Sequence, residues 1–438
     1  MQANNIQAGP ARPQNISCPA GGSNPATPTT ACGQRGVVVA PPSGNTNTAP
    51  RAYQVLHKGF DTLVIAIKAQ LPPDLFDYLE TQKELADKEQ RDVLIEWNGV
   101  RLHLKGHGGA GYRFIASGGP LGASWAIKKP NPKDKWGFRV SFGSSFLASL
   151  DLGGAIAHLE NVLERFDIRI RPEDISISRV DYCVDLLAPD FALIPDNFVM
   201  HSSTNRRDHL TENDKAVNGR SGRVTSVTVG GTRARQIIVY DKRLEVIQKQ
   251  KAHWWMIWNK ARKAQGQPPL SPDTPKARIW RVEFRAGKDL LKDRWNIRTW
   301  EDLYARLGDL YSETDRVIRY TVPQPGDSNR ARWPTHPLWE AALAEINTEH
   351  FDMCENGDPS PVKEVIREQH ISVLMKNLFG STISLAALYG VDADDLPSFF
   401  HKTAGEFEAR AISEPDRTAR HLQDGKDRYV FVTPERGP

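Results

Sequence analysis

The chain has 438 residues, 57 Lys+Arg against 53 Asp+Glu, a formal net charge of +4, and 8% aromatic residues. That length suffices for two or three ordinary domains with a core that needs no disulfide or metal support. The composition excludes a collagen, a coiled coil and a wholly disordered chain.

Residues 1–52 hold eight of the thirty prolines, only three charges (Arg12, Arg35, Arg51) and no acid. Such a segment cannot bury enough apolar surface to offset its chain entropy, which predicts a disordered tail. Order is expected from Gly59, with Phe60-Asp61-Thr62-Leu63-Val64-Ile65-Ala66-Ile67 as a buried strand. A helix is predicted over 73–91, with Leu75, Tyr78, Leu79 and Leu85 on one face. Short strands at hairpin spacing follow over 93–96, 99–105, 111–116 and 137–142. Gly106-His107-Gly108-Gly109-Ala110-Gly111 matches GxGxxG by pattern, but a strand-like Tyr112-Arg113-Phe114-Ile115 follows it rather than a helix. A glycine-rich hairpin turn is therefore the reading.

Residues 154–167 are amphipathic through Ile156, Leu159, Val162, Leu163 and Phe166, and a strand is predicted over 175–187. A polar loop is expected over 201–222, then strands over 223–229 and 234–241 joined at Gly230-Gly231. A helix over 242–264 carries Trp254, Trp255 and Trp258, and a last strand spans 278–286. Beyond, helices are predicted over 299–311, 337–347, 360–379 and 381–389, with the last twenty residues polar and loose. Pro334 and Pro337 mark a boundary, so the expected domains are 1–52, 53–335 and 336–438. The fold class is α+β: a central, mainly antiparallel sheet flanked by helices, plus a helical C-terminal region.

Cys18, Cys32, Cys183 and Cys354 are far apart with no CxxC pair, which disfavours a disulfide framework or zinc knuckle and fits a reducing compartment. The sequence offers no unbroken run of about eighteen apolar residues and no secretory signal, so no membrane partner is expected.

On a strand, residues two apart share a face. This groups Arg179, Asp181, Cys183 and Asp185 on one strand, Arg281, Glu283 and Arg285 on another, and Gln236, Ile238, Tyr240 and Lys242 on a third. A sheet with one face in water, decorated by cross-strand ion pairs, is the plainer explanation. Against it, Asp181 and Asp185 stand in an otherwise apolar strand, where Thr or Lys would serve better. The set also holds the parts of a metal-assisted phosphoryl transfer: carboxylates for a cation, a tyrosine nucleophile, and Lys242 or arginines to neutralise phosphate. Charge is localised too. Residues 205–298 carry 22 Lys+Arg and 9 Asp+Glu, an excess of +13 interleaved with Trp254, Trp255, Trp258, Trp280 and Trp295. A basic, aromatic-bearing segment fits tracking a phosphate backbone and stacking bases, although each tryptophan taken singly reads as core.

Three motifs, Ser178-Arg179-Val180-Asp181-Tyr182-Cys183-Val184-Asp185, Gln236-Ile237-Ile238-Val239-Tyr240-Asp241-Lys242 with Glu245, and Trp280-Arg281-Val282-Glu283-Phe284-Arg285, occur in that order. Over residues 59–335 the chain resembles the Rep_trans replication initiation factor family, which includes rolling-circle initiators and relaxases of plasmids, filamentous phages and integrative elements. The resemblance implies a site-specific DNA nickase and strand transferase. Tyr240, assisted by Lys242, would attack the scissile phosphodiester and stay joined to the 5′ phosphate. It implies Mg2+ or Mn2+ held by Asp181 and Glu283, with Asp185 as third ligand. DNA contacts would come from Arg179, Arg233, Arg235, Arg281 and Arg285. Implied partners are origin DNA (single-stranded or an extruded hairpin), a host helicase and a second copy in a homodimer, in the bacterial cytoplasm. A non-catalytic DNA- or RNA-binding protein, whose strand acids only pair with arginines, is the rival from a different class. A P-loop motor is excluded because GxxxxGK[ST] is missing.

Overall fold

The computed structural model describes residues 53–200, 215–274, 277–346 and 358–434. The expected tail, most of the 201–222 loop, and Cys18, Cys32 and Cys354 lie outside these residues. In chain order the first half comprises β1 (Gln54–Ile67), α1 (Pro73–Glu89), β2 (Val93–Trp97), β3 (Val100–Leu104), β4 (Phe114–Ser117), β5 (Ser124–Ile127), β6 (Phe138–Phe142), α2 (Ser144–Arg165) and β7 (Ile175–Leu187). Next come β8 (Phe198–Met200), β9 (Lys215–Arg220), β10 (Arg223–Gly230), β11 (Arg235–Asp241), α3 (Lys242–Gln248), α4 (His253–Ala264) and β12 (Ile279–Gly287). The remainder is α5 (Trp300–Ser312), α6 (Thr314–Val317), β13 (Ile318–Tyr320), α7 (Pro337–Ile346), α8 (Ser360–Leu388), α9 (Leu396–Ser413) and α10 (Pro415–Tyr429).

Eleven strands form one sheet in the order β2-β3-β4-β5-β6-β1-β7-β12-β11-β10-β9, every adjacent pair antiparallel. With helices on the sheet and a helical C-terminal region, the fold is α+β, as the strand spacing suggested. The glycine-rich turn does join two paired strands, β3 and β4. Its Gly108 has backbone packed so close that a Cβ there would meet the Tyr112 carbonyl oxygen.

Several elements depart from the sequence expectation. Residues 215–220 are strand β9, not loop; they pair with β10 across Ser221-Gly222, both left-handed at φ 52° and 74°. Two successive left-handed residues make the turn whose twist matches a hairpin. The helix expected over 154–167 begins at Ser144, with a break at Asp151 (φ 57°), whose carboxylate accepts the Leu152 N–H at 2.9 Å. The helix expected over 242–264 is two, α3 and α4, split around Gln250 at φ 51°. The segments 360–379 and 381–389 are the single helix α8, and the supposedly loose C-terminus contains α10. By length and composition alone α8 is apolar enough to cross a membrane. Lys376 and Asn377, with scattered Ser, Thr and Gly, interrupt its apolar letters, so it offers no unbroken apolar run.

The main core lies on one face of the sheet. Val180, Tyr182 and Val184 of β7, Trp280, Val282 and Phe284 of β12, and Ile237 and Val239 of β11 point there, against Leu303, Leu307 and Leu310 of α5 and Leu338, Trp339 and Ala342 of α7. The opposite face of those strands carries a second cluster built from Leu56, Val246, Trp254, Trp255, Trp258 and Ile279. Helices α3 and α4 therefore cover the face that bears the ionisable side chains. They close its Asp185 end, while Arg179 and Arg285 at the other end stay partly exposed.

Candidate active site

Antiparallel register fixes which polar side chains meet. Arg281 of β12 stands opposite both Asp185 of β7 and Tyr240 of β11, while Glu283 stands opposite Cys183 and Ile238. Directly opposed residues share a face. The row Asp181–Cys183–Asp185 thus runs beside Arg285–Glu283–Arg281 and next to Tyr240.

β1 supplies one more acid. Its register with β7 jumps between Phe60↔Tyr182 and Thr62↔Asp181, so Asp61 is the extra residue of a β-bulge. A bulge turns a side chain out of strict alternation and is favoured beside functional sites. Carboxylate oxygens of Asp61, Asp181 and Glu283 all lie within 4.8 Å of one another. Side chains of Asp181 and Glu283 are 0% and 2% exposed and that of Asp61 13%. Asp61 was not singled out in the sequence; its signal was an acid, a poor strand former, inside the run Phe60–Ile67.

Of the three acids expected to hold metal, the structure brings Asp181 and Glu283 together and separates Asp185 from them. Asp185 faces Arg281, whose Nε donates to Oδ1 at 2.5 Å and Nη2 to Oδ2 at 2.7 Å, and Trp258 Nε1 donates to Oδ2 at 2.8 Å. Asp185 is engaged by a fork of donors and stands outside the three-carboxylate group. Burial alone would raise this carboxyl, but the Arg281 guanidinium overrides it and holds Asp185 below the usual range. Arg281 also donates through Nη1 to Asp61 Oδ1 at 2.5 Å and lies 4.3 Å from the Trp254 ring centroid.

The cluster of three acids is less well compensated. Burial, then the Asp61 charge, pushes Glu283 up to about 7, despite Arg285 Nε donating to it at 2.6 Å. Burial raises Asp181 as well, against the opposing pull of Arg179, whose Nε lies 2.9 Å from Oδ2. Three oxygen donors this close together could hold a metal ion.

A cavity of about 540 Å³ opens on this cluster; Tyr240, Lys242, Asp61, Glu283 and Arg285 line it, with Lys249 and Lys251 among its other walls. Burial drives the Tyr240 phenol well above its ordinary pKa, and Arg281 pulls it partly back. Lys242 is not on the strand, as sequence alternation had it. β11 ends at Asp241, which caps α3 by accepting the Leu244 N–H at 2.9 Å, and Lys242 starts that helix. Its ammonium still lies 5.6 Å from the Tyr240 ring centroid and 2.6 Å from Glu245 Oε2. Burial lowers its pKa, as does Arg281, against the Glu245 carboxylate.

The arginines expected on DNA divide sharply. Arg281 is fully buried, and Arg235 is closed in by the Leu310 carbonyl (2.8 Å) and Glu313 (2.7 Å), so neither presents a surface to a nucleic acid. Arg179, Arg285 and Arg233 keep 34%, 25% and 76% of their side chains exposed. Trp254, Trp255, Trp258 and Trp280 are core residues, which removes them as stacking platforms.

No protein-family model matches the chain, and no curated relative does. Among solved structures it is similar to a rolling circle replication initiator protein from Geobacillus stearothermophilus. The match has 12% identity and a TM-score of 0.35, over 69% of this chain and 99% of that one. A likeness of that size carries no argument about function, which rests on the residues themselves.

Proposed function

We propose that the protein is a rolling-circle replication initiator: a metal-dependent DNA nickase and strand transferase with Tyr240 as nucleophile. The observation that carries this reading is the shared cavity, where Tyr240, Lys242, Asp61 and Glu283 line one space above a three-carboxylate cluster. The Tyr240 oxygen forms a bond to the scissile phosphorus as the bond to the 3′ oxygen breaks. The phenolic proton leaves to water, and the 3′ oxygen takes up a proton to become the hydroxyl that primes synthesis. A phenol of pKa near ~10 attacks at neutral pH only where positive charge favours its anion. Arg281 opposes the rise that burial imposes on Tyr240, and a cation bound at the carboxylates would add to that opposition. Asp61, Asp181 and Glu283 would hold Mg2+ or Mn2+, which supplies Lewis acidity towards a phosphoryl oxygen. Lys249, Lys251 and Arg285 offer positive charge to the DNA backbone at the cavity wall. The covalent link keeps the phosphodiester energy, so the strand can be rejoined. The reading carries with it a nicking domain over 53–335, an accessory region over 336–438, a bacterial cytoplasmic setting and a host helicase as partner.

The test uses a supercoiled plasmid carrying the cognate origin, with manganese. Wild-type protein is expected to nick it and leave a protein–DNA adduct, and Tyr240→Phe to lose both by more than about 1,000-fold. Nicking that survives the substitution overturns the covalent mechanism. A second reading, a non-catalytic DNA-binding protein, is favoured by one observation: Arg179, Arg281 and Arg285 each pair with a strand acid. Wild-type protein that binds the origin but never nicks it selects that reading.

A further inference from the structure

β9 and β10 form a two-stranded ribbon that outruns the rest of the sheet. β11 pairs with β10 only from Ser226 to Gly230, and Ser226 stands opposite Tyr240. β9 keeps its pairing as far as Arg220↔Arg223, where Ser221-Gly222 closes the turn. The β10 residues Arg223, Val224 and Thr225 therefore lie past the row of the tyrosine. At about 3.3 Å per residue, the tip reaches roughly 10 Å beyond that row. The register jumps between Val224↔Gly219 and Ser226↔Asn218, which makes Thr225 the extra residue of a bulge and adds twist. Residues 216–222 are exposed throughout. The ribbon also belongs to the candidate site: Asn218, Ser226, Tyr240 and Arg281 form one cross-strand row, and Asn218, Thr225 and Ser226 line the Tyr240 cavity.

From Lys215 to Tyr240 the chain holds five Lys+Arg and no acid. Lys215 pairs with Asp196 and Arg223 with Asp241, each at 2.8 Å. Arg220 stands directly opposite Arg223 and makes no ion pair among the described residues. Like charges opposed across a ladder destabilise it, and Asp241 matches only one of the two. Alternation puts Asn218 and Arg220 on one face, the face of Ser226 and Tyr240. Arg and Asn are the side chains that make paired hydrogen bonds to guanine O6/N7 and adenine N6/N7.

The charge calls for an anionic partner, and the shape selects a duplex. A single strand is held by stacking on aromatic rings, and residues 215–239 contain none. A-form RNA keeps its base edges in a major groove too narrow for side chains to read. The major groove of B-DNA, about 12 Å wide and 8.5 Å deep, admits a two-stranded ribbon. An overhang of roughly 10 Å spans that depth. We propose that the β9–β10 ribbon enters the major groove of duplex DNA beside the nicking site, where Arg220 reads guanine and Asn218 adenine and so set which sequence is cut. The proposal rests on the adjacent cavity acting on DNA, and it assigns the sequence reading to a ribbon separate from the carboxylate cluster.

The test is selection by the full chain of bound sequences from a pool of randomised double-stranded oligonucleotides, then nicking of plasmids that carry the selected motif, with manganese. Wild-type protein should enrich one motif. Arg220→Ala and Arg220→Lys should both bind it about 10–100-fold more weakly and lose preference at one G·C pair. Asn218→Ala should lose preference at an A·T pair. Lysine keeps the charge but not the planar fork, so a loss shared by both Arg220 variants separates base reading from attraction to phosphate. If an Arg220 variant does not fold, Asn218→Ala decides. Wild-type protein that enriches no motif, or an Arg220 or Asn218 variant that folds and keeps the wild-type preference, overturns the proposal. A motif that the variants lose, on DNA that wild-type protein binds but never cuts, sustains the ribbon and removes the nicking reading.

Discussion

Asp181 and Asp185 stand on the same strand and the same face, yet the two ends of that face are built on opposite principles. At the Asp185 end, one guanidinium and one indole satisfy the carboxylate from three directions. At the Asp181 end, three carboxylates converge within 4.8 Å and at least two of them rise in pKa through burial. A buried ion held by three donors, two of them from one guanidinium, holds structure together. A buried cluster of three close carboxylates, two of them raised by that burial, could hold a cation. Arg281 joins the two ends: it locks Asp185, touches Asp61, and stands opposite Tyr240.

That contrast breaks most cleanly at Asp185. Asp185→Asn leaves the buried Arg281 with Asp61 as its one remaining carboxylate partner, and removing one member of a buried pair costs about 3–5 kcal/mol. Denaturant unfolding should show that loss. Asp181→Asn should instead be close to neutral in stability without metal, because it relieves repulsion among the three acids. Comparable losses at both positions would abolish the distinction between the two ends.

The next effect is one of pH. Glu283 has a folded pKa of about 7 against an ordinary 4.5, so the folded state binds its proton more tightly. That contribution is fully present below about pH 4.5 and is lost as pH rises through 7, on the order of 3 kcal/mol. Metal binding needs the carboxylates ionised. Manganese should therefore raise the melting temperature more at about pH 8 than at about pH 5.5, and EDTA should reverse it. Glu283→Gln should remove both the metal response and the pH slope. A manganese shift independent of pH would argue against carboxylate ligation.

The strands that carry the site were legible because alternation of apolar and polar letters is a local property. The register from Asp181 to Asp185, and from Arg281 to Arg285, could be read two residues at a time. What covers a face cannot be read that way. The acid-bearing face looked as though water could wet it, yet α3 and α4 cover its Asp185 end, where Trp254 and Trp258 are the core residues that each reads as when taken singly. Asp61 escaped because its place depends on a bulge, a mismatch between two strands some 120 residues apart that neither strand shows alone. Arg235 and Arg281 were counted as DNA contacts because charge is visible in a sequence and burial is not. Lys242 was placed on the wrong element but close to the right neighbour, since the cap at Asp241 turns the chain just as the side chain reaches Tyr240.

The smallest effect tests how Asp185 is held. Trp258 is fully buried, and its indole N–H is one of three donors to that carboxylate. Trp258→Phe keeps most of the apolar volume while deleting a charge-assisted hydrogen bond, which such bonds put at about 1.5–3 kcal/mol before relaxation. Because Arg281 still engages both carboxylate oxygens, the measured loss in unfolding free energy should fall near the lower figure, and below that of Asp185→Asn. Combining the two substitutions should cost less than their sum, because once the carboxylate is gone the indole has no anion to hold. Full additivity would mean that Trp258 acts by packing alone and that Arg281 suffices to keep Asp185 ionised.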